Sequence, residues 1–283
     1  MQLIDLNELV AKADELQPLP ASATKLVSLI NSGEADVDEI TKIISLDPAM
    51  TVRLLRAANS AFAGSALVIS TISEAISRLG TQRILSLAVA SHARSMLRTE
   101  MTAYGLNEGD LWRHSVISMI AAETSAKFCK TVIPPASYTA ALLHDIGKLV
   151  MARFLTEDIL LLLEQARDEG NLPPLEAEAR VLQVHHGELG GLIAQHWELP
   201  ENIVKGITFH HNPDDGDDLI CDTVHLANAV AKRVANESDT KLPTTDIKPD
   251  AVKRLGFDMK KFDELCDKTK TAFEKISALY GTG

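Results

Sequence analysis

Seven of the chain's nine histidines fall between His144 and His225. Such a density points to metal chemistry, because divalent transition ions favour imidazole and carboxylate donors and a helical bundle presents them inward from several facing helices. Asp110 and His114 are four residues apart, which puts both on one face of a helix. His144 and Asp145 stand side by side in Leu142-Leu143-His144-Asp145-Ile146-Gly147-Lys148, where the apolar flanks imply burial. A buried imidazole and carboxylate must be satisfied by hydrogen bonds or by a metal, since unpaired polar groups are costly away from water. His186 begins a helix-like run with Gly190 and Gly191, and His210-His211 closes the next helix. The simpler reading, a His-Asp pair tying helices together by hydrogen bonds, stays open beside the metal reading. His92, His185, His196 and His225 carry no motif and read as surface or polar-core residues.

The elements that must position these groups are helices. Asp36 with Glu39, and Thr71 with Glu74, form capping boxes ahead of apolar runs at helical spacing. Asp47-Pro48 stops one helix and starts another, and Asn59-Ser60 marks where that one ends. Gly80 separates two helices, and Pro134-Pro135, Pro173-Pro174, Pro200 and Pro213 punctuate the rest. Residues 212–218, Asn-Pro-Asp-Asp-Gly-Asp-Asp, read as an exposed acidic loop before a helix over 219–234. Residues 236–249 read as a loop, and 251–279 as helical. The expected architecture is an all-α, two-lobed helical bundle: a lead-in over 1–15, lobes over 16–100 and 105–235, and a peripheral helical extension over 236–283.

Composition narrows the function. The 283 residues are 46% hydrophobic and 24% charged, the balance of a globular protein of one or two domains. Only 4% are aromatic, so the core is filled by aliphatic side chains and alanine. A net charge of −11 argues against a general grip on nucleic acid or anionic lipid. Arg53, Arg56, Arg78 and Arg83 read as solvated surface, and a helix-turn-helix fitted to 72–90 lacks a base-reading face. Three scattered cysteines without CxxC spacing suit a reducing compartment, and neither a secretion signal nor a membrane span is visible. The expected location is the cytoplasm.

The order His114, His144-Asp145 with Ile146-Gly147-Lys148, His186, His210-His211 resembles the HD superfamily of metal-dependent phosphohydrolases. Leu19-Pro20, Asp47-Pro48-Ala49-Met50-Thr51, residues 54–60 and 75–80, His186-Gly187-Glu188-Leu189-Gly190 and Trp197-Glu198-Leu199-Pro200 narrow the resemblance to the HDOD domain, the HD-related output domain of bacterial signalling proteins, over residues 16–235. The resemblance implies a metal set of Asp110, His114, His144, Asp145, His186, His210, His211 and, where HD enzymes carry a later aspartate, Asn228. It implies a divalent metal, Fe, Mn, Zn or Mg, and a partner that is a signalling protein or a nucleotide-like ligand. The ligand order matches most of the HD-GYP branch, which hydrolyses cyclic dinucleotides, although Asn212-Pro213-Asp214 stands in place of the Gly-Tyr-Pro signature. HDOD domains are non-catalytic relatives, and an amide oxygen at Asn228 has neither the charge nor the basicity of a carboxylate. The expected function is therefore regulation by binding a protein or small ligand. The alternative is a metal-dependent phosphohydrolase of nucleotides or cyclic dinucleotides in which Asp145 and Lys148 serve the reaction.

Overall fold

The computed structural model describes residues 16–280 except 17–18, 34, 62–67, 169, 171 and 236–246. The expected lead-in over 1–15 and most of the 236–249 loop lie outside the described residues. Among the described residues sixteen α-helices follow one another: α1 (Ala21–Asn31), α2 (Val37–Ser45), α3 (Pro48–Ala61), α4 (Ile72–Leu79), α5 (Thr81–Leu97), α6 (Asp110–Ser125), α7 (Ala136–Leu143), α8 (Gly147–Phe154), α9 (Glu157–Asp168), α10 (Pro174–Leu182), α11 (His186–His196), α12 (Glu201–Thr208), α13 (Pro213–Gly216), α14 (Leu219–Ala235), α15 (Pro249–Leu255) and α16 (Phe262–Tyr280). Among the described residues there is no strand, only an isolated bridge between Met101 and Leu106.

The helix starts follow local chemistry. Asp36 accepts a bond from the Asp38 backbone N–H, and Asp47 Oδ1 accepts from Met50 N, so each carboxylate satisfies an orphan donor of the helix it opens. Thr71 Oγ1 accepts from Glu74 N, while the Glu74 carboxylate reaches back to Ser70 N. Gly80, at φ 81°, divides α4 from α5 in a single residue that a side chain would strain. Asn59 does not end its helix, which runs on to Ala61. Its amide instead clamps Ile69, donating to Leu55 O and Ile69 O and accepting from Ile69 N.

Helices α1 to α5 pack on one another, and α5 continues onto α6 and α7. In the second half, α6, α7, α12 and α14 form the central layer, with α11 across α8 and α12. One buried apolar cluster runs from Leu16 to Phe273, with Trp112 fully enclosed. The acidic stretch expected as a loop is instead pinned: Pro213 opens the one-turn helix α13 and is buried, Asn212 Nδ2 bonds Asp215, and Asp214 pairs with Arg254 at 2.7 Å. The expected single helix over 251–279 is broken at Gly256, which takes the left-handed conformation (φ 61°) and ends α15. Helix α16 then packs along α6 and α14 and also against α3. The Arg113 guanidinium lies 5.7 Å over the Phe273 ring, a cation–π contact tying α6 to α16.

His92, on α5, is partly buried with Asp47 Oδ2 3.5 Å from its Nε2. Burial lowers its pKa, and Arg53 adds to the effect against the pull of Asp47. A histidine that resists protonation when folded contributes stability fully present above its ordinary value of 6.5 and lost as the pH falls below it. We expect the urea midpoint to fall between about pH 7 and about pH 5, with a shallower fall in His92→Gln. Parallel slopes for the two proteins would disprove this assignment.

Candidate metal centre

Four segments deliver the centre. His114 projects from the second turn of α6, and His144-Asp145 follows the last turn of α7. His186 is the first residue of α11, and His210-His211 come just after α12. Two of these segments meet because Gly147 has no side chain: a Cβ there would run into the His186 carbonyl and lie 2.8 Å from Gly190 N. The same glycine therefore starts α8 and lets Asp145 reach His186. His185 caps α11, its Nδ1 accepting from Gly187 and Glu188 N–H while Glu188 returns a bond to His185 N.

Each inner imidazole is held by Nδ1. His144 Nδ1 donates to Ala141 O at 2.7 Å, His210 Nδ1 to Ile207 O at 2.7 Å, and His186 Nδ1 to Glu178 Oε2 at 2.7 Å. Fixing the proton on Nδ1 turns an Nε2 lone pair inward, the arrangement that a metal-bound histidine uses. The Nε2 atoms close on Asp145. Its Oδ2 lies 3.4 Å from His144 Nε2 and 3.6 Å from His114 Nε2, and its Oδ1 lies 3.3 Å from His186 Nε2 and 3.9 Å from His210 Nε2. His114 and His144 meet at 3.2 Å through Nε2, and His211 and His186 at 2.8 Å. Two triads capable of holding a cation result, His114-His144-Asp145 and His186-His210-His211.

The residues fit a divalent ion. Asp145 Oδ1 and His210 Nε2 are buried and have no hydrogen-bond partner among the described residues, although both sit among other donor atoms. A cation shared by converging lone pairs satisfies them where hydrogen bonding does not. Charge is arranged accordingly. Burial alone would raise the Asp145 pKa, but His144 and Lys148, whose Nζ is 2.8 Å from Oδ2, hold it well below the ordinary carboxylate range. Burial lowers His114 to about 3 and drives His210 and His211 far down. For His186, burial pulls downward but is outweighed by Asp145 and Glu178, and its pKa rises. Glu178, 5% exposed, stays ionised despite burial because His186 bonds it through both Nδ1 and its backbone N–H.

A cavity of about 530 Å³ opens beside this cluster. His186, His211, Glu178 and Asn228 form its floor, Lys148, Lys232, Arg233 and Lys248 bring positive charge, and Pro173, Pro174, Leu175, Ile247 and Phe262 are apolar. Tyr104, buried so that its hydroxyl pKa rises, also lines it and lies 5.9 Å under the Lys148 ammonium.

Of the residues expected from sequence, His114, His144, Asp145, His186, His210 and His211 converge, and Lys148 contacts the shared aspartate. Asn228 is buried at the cavity, and among the described residues its Oδ1 has no hydrogen-bond partner. The structure does not bring Asp110 into either triad: it opens α6, and its Oδ2 accepts from Asn107 N at 2.7 Å and from the Asn107 side chain. Glu178, Lys232, Lys248 and Phe262 escaped the sequence reading, since no spacing links them to the histidines. His225 did carry a signal, one turn before Asn228 on the same helix face.

Comparison with known proteins comes to the same place. Residues 16–213 match the HDOD domain. An uncharacterised protein of Treponema pallidum is 28% identical over 232 residues, and the chain spans 44% of that relative's length, using 80% of its own. Three solved structures share the fold. A candidate phosphohydrolase of Shewanella amazonensis has a TM-score of 0.68 at 24% identity, covering 97% of each chain. An HDOD domain protein of unknown function from Geobacter sulfurreducens has 0.62 at 20%, covering 98% of this chain and 97% of that one. A candidate signal transduction protein of Marinobacter aquaeolei has 0.72 at 19%, covering 98% and 64%.

Two outcomes test the centre. Glu178→Gln should weaken metal affinity about 10- to 100-fold by loosening the His186 ring, measured by chelator competition, and an unchanged affinity would refute its role. Gly147→Ala should cost about 1–3 kcal/mol in urea unfolding through overpacking and displace Asp145 from His186. Full stability with full metal content would contradict the close approach.

Proposed function

Because the chain belongs to the HDOD domain family, we propose that it is a bacterial signalling module that holds a divalent metal and, through it, binds a phosphate-bearing small ligand without efficient turnover. One observation carries this reading: inward Nε2 lone pairs and an ionised Asp145 stand at a cavity where Lys148, Lys232, Arg233 and Lys248 provide positive charge. His114, His144, Asp145, His186, His210 and His211 would hold the metal. An imidazole-rich set favours Fe, Mn or Zn over Mg, which prefers oxygen donors. A bound divalent ion supplies Lewis acidity toward a phosphoryl oxygen and acidity to a bound water.

The chain's own residues bind and orient but do little for proton transfer. Lys148 is placed to balance phosphate charge while steadying Asp145 at 2.8 Å. Glu178, the carboxylate among the residues lining the cavity, is committed to His186. Asn228 offers a neutral oxygen where the resemblance expects a carboxylate. Three unpaired cysteines, Cys129, Cys221 and Cys266, whose thiol pKa values burial raises, suit a cytoplasmic setting. Output passes to a signalling protein in this reading.

A second reading, a phosphodiesterase of nucleotides or cyclic dinucleotides, is favoured by one feature. Asp145 turns one oxygen toward each triad, as a carboxylate bridging two metals does. The discriminating experiment is metal content by elemental analysis with bis(p-nitrophenyl) phosphate turnover, for wild type, His144→Ala, Asp145→Ala and Asn228→Asp. We expect stoichiometric metal in wild type, lost in both alanine variants, with turnover only in Asn228→Asp. Metal-dependent turnover by wild type would replace the first reading with the second, and wild type that takes up no Mn, Fe or Zn would refute both.

A further inference from the structure

We propose that Lys248 is a ligand-recognition residue of the cavity and that His225 is the positioning residue that fixes it there, so that recognition extends beyond the segment matching the family. This inference rests on the phosphate-ligand reading above. His225 is 6% exposed and has both ring nitrogens engaged. Its Nδ1 lies 2.8 Å from the His210 carbonyl, which can only accept, so Nδ1 carries the proton. Its Nε2 then accepts the backbone N–H of Lys248 at 3.0 Å. One neutral imidazole thereby joins a metal-ligand segment to a residue of the cavity wall, 23 positions further along the chain.

The wall it fixes is suited to a phosphate-bearing molecule with an apolar body. Ile247 is 8% exposed and joins the buried apolar cluster, while Lys248 is exposed and lines the cavity. Lys248 thus brings a positive charge to the cavity wall. Arg233, also on the wall, is 3.8 Å from Asp263. Phe262, Ile247, Pro173 and Pro174 offer apolar surface to the rest of the ligand. A glutamine at 225 can reproduce the clamp, since it has an N–H₂ for the His210 carbonyl and an oxygen for Lys248 N–H.

The test titrates the Mn-loaded full chain with inorganic phosphate and with phenyl phosphate by calorimetry, beside a separate measurement of Mn stoichiometry. Phenyl phosphate should bind wild type more tightly than the free ion. Lys248→Gln and His225→Leu should each weaken phenyl phosphate about five-fold, the size of one partly screened ion pair, with Mn stoichiometry unchanged. The double variant should be no weaker than either single one, because both remove the same contact, and His225→Gln should restore wild-type affinity. Unchanged affinity in Lys248→Gln, additive losses in the double variant, or equal binding of the two phosphates would overturn the proposal. Failure of wild type to take up Mn would instead overturn the metal reading, and the same Lys248→Gln comparison on the metal-free chain would still decide the lysine's role.

Discussion

Asp145 is a charge kept where water scarcely reaches, at 2% exposure, and the second half of the molecule is arranged around the need to balance it. A lone buried carboxylate would take up a proton. Here Lys148 contacts one oxygen and imidazoles from three separate segments face the pair, so the ionised form is retained. Those imidazoles must in turn be correctly oriented. Backbone carbonyls of Ala141 and Ile207 and the Glu178 carboxylate do this by taking the Nδ1 protons. The chain of dependence therefore runs from Asp145 to the imidazoles, and from these to the last turns of α7 and α12 and to α10.

That order explains why bonds between helix ends matter more here than bonds within helices. Apart from His114 on α6, the candidate ligands lie at the termini of α7, α11 and α12, where carbonyls and N–H groups are not consumed by the helix and can grip side chains. His144 and His210 use the carbonyl three residues earlier in the same way. His185 uses the free N–H groups at the start of α11, which leaves His186 in the first turn facing Asp145. Close packing of these ends depends on small residues. Gly147 and Gly191 admit neighbouring backbone or side chains where a Cβ would collide.

The all-α fold, the helix starts at Asp36, Asp47 and Thr71, and the six side chains that the structure brings together were legible in the sequence, because capping and adjacency are local and the histidine order is specific. What was not legible depends on distance in space. Asp110 shares a helix face with His114, yet Asn107, three residues earlier, captures its carboxylate by a local bond that spacing does not reveal. The acidic run at 212–218 looked solvated because its partner, Arg254, comes forty residues later. Glu178 and Lys248 take their meaning from His186 and His225, and nothing in their own neighbourhoods announces it.

Helix α16 begins with Phe262 in the wall of the cavity and packs along α6 and α14, yet it also touches α3 among the amino-terminal helices. Its 19 residues span about 28 Å as a straight rod. The carboxy-terminal segment is therefore a beam rather than an appendage. One end lines the cavity beside the candidate metal ligands, and its length packs against α3. A truncation before residue 249 would open the cavity and unseat α3 in a single cut, so the two halves of this molecule are not separable at the residue where the histidine motifs end.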